Sequence, residues 1–296
     1  MAHEQVITAA DESPIPAVRT IGIAELKEAL LKGIDDFWAM PSHAMFLSLI
    51  YPVVGVILGR LTFGYDVLPL LFPIIAGFAL IGPFAAIGLY ELSRRREHGL
   101  DVSWRRAFDV IYSPSFAAIA ALGLLLMAIF VIWLATAQAI YIANFGYAPP
   151  ESLQTFIRQI FTTPAGWRLI VIGNFVGFLF AVVVLTLSVV SFPLLLDRNV
   201  GVMAAVLTSV RAVLKNPVTM AVWGLIVACA LAIGSLPLFF GLAVVMPVLG
   251  HATWHLYRRV VESDPNPPQE FRHPVKPRRY AADFPVSLFP ARKDRP

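Results

Sequence analysis

Five stretches of the chain contain no Asp, Glu, Lys or Arg: residues 37–59, 67–90, 110–150, 169–196 and 216–257, which are 23, 24, 41, 28 and 42 residues long. A helix crossing a hydrocarbon core of roughly 30 Å needs about 20 predominantly apolar residues, so every one of them is long enough to span a bilayer. The longest holds two spans that turn at Gly234-Ser235-Leu236-Pro237, whereas 110–150 holds one, because Asn144, Gly146, Pro149 and Pro150 end its apolar part. The pattern predicts six helices, near 44–63, 68–92, 115–143, 167–196, 218–234 and 238–257. Strands of a membrane barrel would alternate apolar and polar positions, but a run such as IAALGLLLMAIFVIWLA is apolar on every side. Only a helix satisfies its backbone in lipid. The expected fold class is therefore all-α, a polytopic transmembrane helical bundle.

A repeat organises these spans. Pro41, Pro114 and Pro217 each stand just before an odd-numbered span, and apolar residues recur ten, seven, four and three positions ahead of each. They are Leu31, Ile34, Phe37 and Trp38; Trp104, Ala107, Val110 and Ile111; and Leu207, Val210, Val213 and Leu214. This spacing puts each set on one face of a helix, with polar residues such as Lys32, Arg105 and Arg211 between them. Each span pair is thus expected to be entered through an amphipathic helix on the membrane surface, which the proline ends. The even spans align as GPFAAIGLYELSRR (82–95) and MPVLGHATWHLYRR (246–259), with Pro193 in FPLLLDR as a looser third copy. The expected architecture is three parallel repeats of surface helix plus transmembrane hairpin, over about 25–98, 101–200 and 202–260. Pro83, Pro193 and Pro247 are expected to bend their helices, and Gly55/Gly59 and Gly173/Gly177 to mark close packing.

Charge sets the orientation. In the six-span topology 20 of the 23 Lys and Arg residues fall on the side of the two termini, leaving Arg60, Arg158 and Arg168 opposite. The positive-inside rule makes that side, and both termini, cytoplasmic. The basic rim suits membrane lipids, anionic headgroups included, and nothing calls for nucleic acid. Composition agrees, since 58% of the 296 residues are apolar or aromatic and only 14% charged, against roughly 25% charged in ordinary globular chains. Residues 1–22 read as a disordered N-terminal segment with no cleavable signal peptide, and 23–261 as the six-helix membrane domain. Residues 262–296, with eight prolines and seven Lys or Arg, read as a disordered basic tail. On the far side, Leu153, Phe156, Ile157, Ile160 and Phe161 outline an amphipathic helix. The single cysteine, Cys229, excludes an intrachain disulfide or a cysteine metal cluster.

Candidate chemistry is sparse. His251 and His255, at i and i+4, share one helix face, a chelating spacing. Zinc needs further ligands, and Glu91 and His43 lie on the same side of the membrane. Glu91 occupies the position of His255 in the repeat, so the two are expected to face each other. The candidate metal set is His251, His255, Glu91 and His43, and no catalytic residue or cofactor is implied. P-loop, nucleophile-elbow, HExxH and dinucleotide motifs are missing.

The segments FALIGPFAAIGLYELSRR (78–95), SFPLLLDRNVG (191–201), SVRAVLKNP (209–217) and VMPVLGHATWHLYRR (245–259) resemble a bacterial family of predicted integral membrane proteins known as a domain of unknown function, over about 25–260. The resemblance implies a helical protein of the bacterial inner membrane and transfers no catalytic residues. The leading functional expectation is a non-enzymatic protein that organises or assists other membrane components, with membrane lipids and other membrane proteins as partners. A small-solute or lipid permease is the alternative, and a metal-binding membrane protein using the histidine pair a weaker one.

Overall fold

Most of the charge-free stretches become helices in the computed structural model, which describes residues 15–40, 68–148, 150, 152–237, 239–263 and 271. The helices are α1 (Ile23–Ala39), α2 (Leu71–Ala85), α3 (Ile87–Glu97), α4 (Phe116–Phe145), α5 (Leu153–Thr162), α6 (Pro164–Ser188), α7 (Ser191–Asp197), α8 (Val202–Lys215), α9 (Pro217–Ser235) and α10 (Leu242–Val260). A 3-10 helix, Trp104–Tyr112, lies between α3 and α4.

Among the described residues four helical segments are long and apolar enough to cross a membrane: Phe72–Glu97, Phe116–Phe145, Pro164–Asp197 and Pro217–Ser235. They correspond to four of the six expected spans. The span expected near 44–63 lies outside the described residues, as do His43, Gly55 and Gly59. The stretch expected to span at 238–257 is helical only from Leu242, and α10 is less apolar than the other four because its second half carries His251, His255, Arg258 and Arg259.

The three inner prolines act differently. Pro83 sits in the last turn of α2, which gives way to α3 at Ala86. Pro193 lies in α7, set off from α6 by Val189 and Val190. A proline there leaves the Val189 carbonyl without its helical donor, and α8 braces the break. The Val190 N–H donates to Ser209 Oγ at 3.3 Å, and the Ser191 hydroxyl, which donates to the Leu187 carbonyl at 2.5 Å, lies 3.2 Å from the Ala205 carbonyl. All seven residues of α7 are buried, as suits a short helix apolar on nearly every side. Pro247 leaves α10 uninterrupted.

Trp133 of α4 joins α2 and α6. Its indole N–H donates to the Pro73 carbonyl at 2.9 Å, and a Cβ on Gly77 or Gly177 would stand 2.8 or 3.1 Å from its ring. Of the Gly173/Gly177 pair, Gly177 is therefore packed while Gly173 meets open space. Large apolar side chains point outward from α4 (Leu124, Val131), α6 (Phe175, Phe178) and α9 (Leu225, Ile233), a surface that suits lipid rather than water. Helix α5 is capped by Ser152, whose Oγ accepts the Thr155 N–H at 3.1 Å. It buries Phe156 against Tyr141 and Phe145 and leaves Leu153, Ile157 and Phe161 exposed.

The segments ahead of Pro41, Pro114 and Pro217 are helical, but their apolar residues divide between two faces. In α1, Leu26, Ala29 and Phe37 point inward while Leu31, Ile34 and Trp38 are exposed. The 3-10 helix buries Ala107 and Val110 and exposes Trp104, Phe108 and Ile111. Helix α8 buries Ala205 and Ala212 and exposes Met203, Leu207 and Leu214. Two apolar faces arise because each helix has the bundle behind it as well as an outer environment in front.

Residues 15–22, placed by the sequence pattern in a disordered segment, form an extended strap. The Arg19 N–H donates to the Val260 carbonyl at 2.7 Å, the Glu262 N–H to the Ala17 carbonyl at 3.1 Å, and Val18 bridges Val261. Asn216, at the junction of α8 and α9, pins the strap: its Oδ1 accepts the Ile21 N–H at 2.8 Å and its Nδ2 donates to the Arg19 carbonyl at 3.0 Å. Asn216 is buried, so Asn216→Ala leaves a buried donor and acceptor unpaired. The expected cost is about 1–3 kcal/mol, with faster hydrogen exchange at the Ile21 amide while α4 and α6 keep their protection.

Candidate functional site

Helices α1, α3, α7 and α10 converge at one end of the bundle, where many of the scarce charges gather. Asp36 is on the inward face of α1, in line with Ala29, Gly33 and Phe37, because those positions share one side of a 3.6-residue helix. Asp36 is only 3% exposed, and its carboxylate collects three donors. The Ser93 hydroxyl donates at 2.6 Å, the His255 Nε2 lies at 2.8 Å, and the Arg96 guanidinium completes the set while also reaching Asp35 at 2.9 Å. Burial by itself would raise the Asp36 carboxyl, but the hydrogen bonds from His255, Ser93 and Arg96 and the His255 charge outweigh it and lower the acid to about 2.

Ser93 also fixes the second histidine. Its one proton goes to Asp36, so its oxygen accepts from His251 Nδ1, 2.8 Å away. This network assigns His251 to the Nδ1–H tautomer. The His251 ring is fully buried, with the Leu89 carbonyl also facing it, and no hydrogen bond reaches Nε2. The result is a continuous chain, His251–Ser93–Asp36–His255, through three helices.

The repeat register predicts Glu91 opposite His255. The carboxylate that meets His255 is instead Asp36, and Glu91 turns to its own helix, accepting from Arg94 Nε at 2.7 Å, Arg94 Nη2 at 3.0 Å and Arg95 at 3.4 Å. The structure therefore brings His251 and His255 into one network, keeps Glu91 in another, and leaves His43 outside the described residues. Among the described residues no three His, Cys, Asp or Glu side chains group as a metal set. The signal for Asp36 was present in the sequence as an acidic residue beside Phe37 on the inward face of an amphipathic helix. Glu91 likewise had Arg at i+3 and i+4, a local pairing pattern.

A third group closes the site. Asp197, the last residue of α7, accepts from the Tyr257 hydroxyl at 2.6 Å and Arg258 Nη1 at 3.4 Å. Glu97 accepts from the Trp254 indole at 2.8 Å and Arg258 Nε at 3.0 Å. Asp109 of the 3-10 helix pairs with Arg95 at 3.6 Å and Arg106 at 3.2 Å. From the tail, Phe271 places its ring 4.4 Å from the Arg94 guanidinium. Each of Asp36, Glu91, Glu97, Asp109 and Asp197 thus has at least two donors. Networks satisfied to this degree rigidify what they join, here the ends of α1, α3, α7 and α10.

No curated protein and no solved structure matches the chain. A match to a known family begins at the first residue of α2 and ends at the last of α7, so it contains Glu91, Ser93 and Asp197 but neither Asp36 nor the histidine pair. Residues 71–197 match the family described as Predicted integral membrane protein (DUF2189), a domain of unknown function.

Proposed function

We propose that the chain is a non-enzymatic protein of the bacterial inner membrane, with six spans and both termini cytoplasmic, that organises or assists other membrane components. The six spans add 44–63 and the α10 region to the four apolar helices above, and the threefold repeat puts the surface helices on the cytoplasmic side. One observation carries the organising role. At the charged end, α1, the 3-10 helix and α8 present outward Trp38, Trp104, Phe108 and Leu214, while ion pairs anchor α1 and the 3-10 helix to the bundle behind. A rigid collar of exposed aromatic and aliphatic side chains at a membrane surface is built to be covered, by lipid and by the helices of neighbouring proteins.

Affinity purification of the full chain from native membranes in mild detergent tests this. A membrane protein is expected to co-purify in constant ratio and to be lost from the Trp104→Ser/Phe108→Ser variant, whose changes lie on the exposed face. Solute flux through liposomes containing the purified chain alone would replace the organising role with the permease reading.

A further inference from the structure

Between α1, α3 and α10 lies an open depression of about 310 Å³. Asp36 and His255 form part of its wall and are already bonded to each other. Around them stand four cations, Lys32, Arg96, Arg258 and Arg259, against the three carboxylates Asp35, Asp36 and Glu97. Most of this charge is engaged. Arg96 holds Asp35 and Asp36, Arg258 holds Glu97, and Arg259 Nη2 reaches Glu28 at 2.6 Å. Lys32 is exposed and makes no hydrogen bond or ion pair among the described residues.

All three arginines have a local explanation, because Arg96 lies in the last turn of α3 and Arg258 and Arg259 in that of α10, where cations offset the negative end of the helix dipole. Lys32 does not, since the last turn of α1 contains no basic residue. Lys32 is thus the cation of the mouth that neither a helix end nor an ion pair accounts for. The same helix carries the exposed stripe Leu31, Ile34 and Trp38, about 100° around from Lys32 and Asp35. Lys32 and the apolar edge thus lie on adjoining faces of α1.

We propose that this depression seats the headgroup of an anionic phospholipid. The phosphate meets Lys32 and the guanidinium N–H groups that Arg259 does not spend on Glu28, and the acyl chains run along Leu31, Ile34 and Trp38. A phosphate supplies several acceptor oxygens for such donors, and tryptophan is favoured at the headgroup level. A soluble phosphate would use the cations but leave the stripe bare. The inference rests on the reading that this end faces the cytoplasmic leaflet.

The full chain, purified in detergent, is titrated with phosphatidylglycerol and phosphatidylcholine and read by native mass spectrometry. Wild type is expected to retain phosphatidylglycerol preferentially. Lys32→Glu is expected to weaken it about tenfold, whereas Arg211→Glu, an equal charge change at an exposed site on α8, stays within about twofold. Equal losses from both variants would show diffuse charge attraction and overturn the site. Inorganic phosphate displacing the lipid at similar concentration would overturn the lipid assignment. Ala24→Cys in a Cys229→Ser background, labelled from either side of the membrane, reports orientation separately. Labelling from the periplasmic side overturns the orientation reading, whereas cytoplasmic labelling with no lipid preference overturns the headgroup site alone.

Discussion

Asp36→Ala is expected to lower folding stability by about 3–5 kcal/mol, read as a large drop in the thermal unfolding midpoint in detergent. The carboxylate is the common acceptor for Ser93, His255 and Arg96, so its removal breaks the buried polar ties of α1 to α3 and α10 and leaves the Arg96 guanidinium with Asp35 alone. Asp36→Asn keeps an acceptor oxygen for Ser93 but loses the charge that holds Arg96, and is expected to fall between wild type and alanine. The pH dependence separates this from simple loss of packing. Asp36 titrates at about 2 in the folded protein against an ordinary 3.8, so the unfolded chain binds the proton first as pH falls. The stabilisation is fully present above the ordinary aspartate range and is lost as the pH drops through about 4 toward 2. The gap between wild type and Asp36→Asn is therefore expected to narrow as the pH falls below about 4. A gap that does not narrow there would place the effect in shape rather than charge.

The membrane helices were legible because lipid imposes a simple rule: no charge for some twenty residues. Expected spans at 115–143 and 218–234 meet helices at Phe116–Phe145 and Pro217–Ser235 almost residue for residue. In α10 the polar half is buried against α1 and the helix runs from Leu242 to Val260, so the charge-free stretch ending at Tyr257 did not set its bounds. The surface helices were legible by periodicity, but their two apolar faces were not, because one-dimensional spacing does not say that a helix touches protein on one side and something else on the other. The site shows the same limit. Repeat alignment put Glu91 in the register of His255, yet register says nothing about which side chain crosses the gap. Local pairing wins for Glu91, with two arginines a turn away, whereas Asp36 has its partners 57 and 219 positions distant. Contacts of that separation leave no trace in local pattern. Asn216 is similar: an asparagine before Pro217 reads as a helix junction, and its hold on the strap 195 residues away has no local signature.

Gly33→Leu is expected to separate α1 from α10 and to abolish cooperative unfolding of that end of the bundle. The two helices run antiparallel, with Glu28 meeting Arg259 and Gly33 meeting Ala252. A Cβ at position 33 would lie 2.6 Å from both the Cβ and the backbone nitrogen of Ala252 and 2.7 Å from its Cα. None of these atoms can swing aside by changing a rotamer, so one helix must move. Even Gly33→Ala sets two effects against each other. Alanine gains about 1 kcal/mol in helix propensity over glycine, and the overlap costs about 1–3 kcal/mol. The overlap is expected to win because the shift it forces also carries Asp36, less than one turn further along, away from Ser93 and His255. Thermal unfolding is then expected to rank wild type above Gly33→Ala and Gly33→Ala above Gly33→Leu. Adding Ala252→Gly removes only the Cβ from the three clashing atoms. The pair Gly33→Ala/Ala252→Gly is thus expected to recover part of the loss and not all of it, since the nitrogen and Cα of residue 252 stay where they are. Full recovery would mean that the side chains alone set the distance between these helices and that the backbone has room to spare.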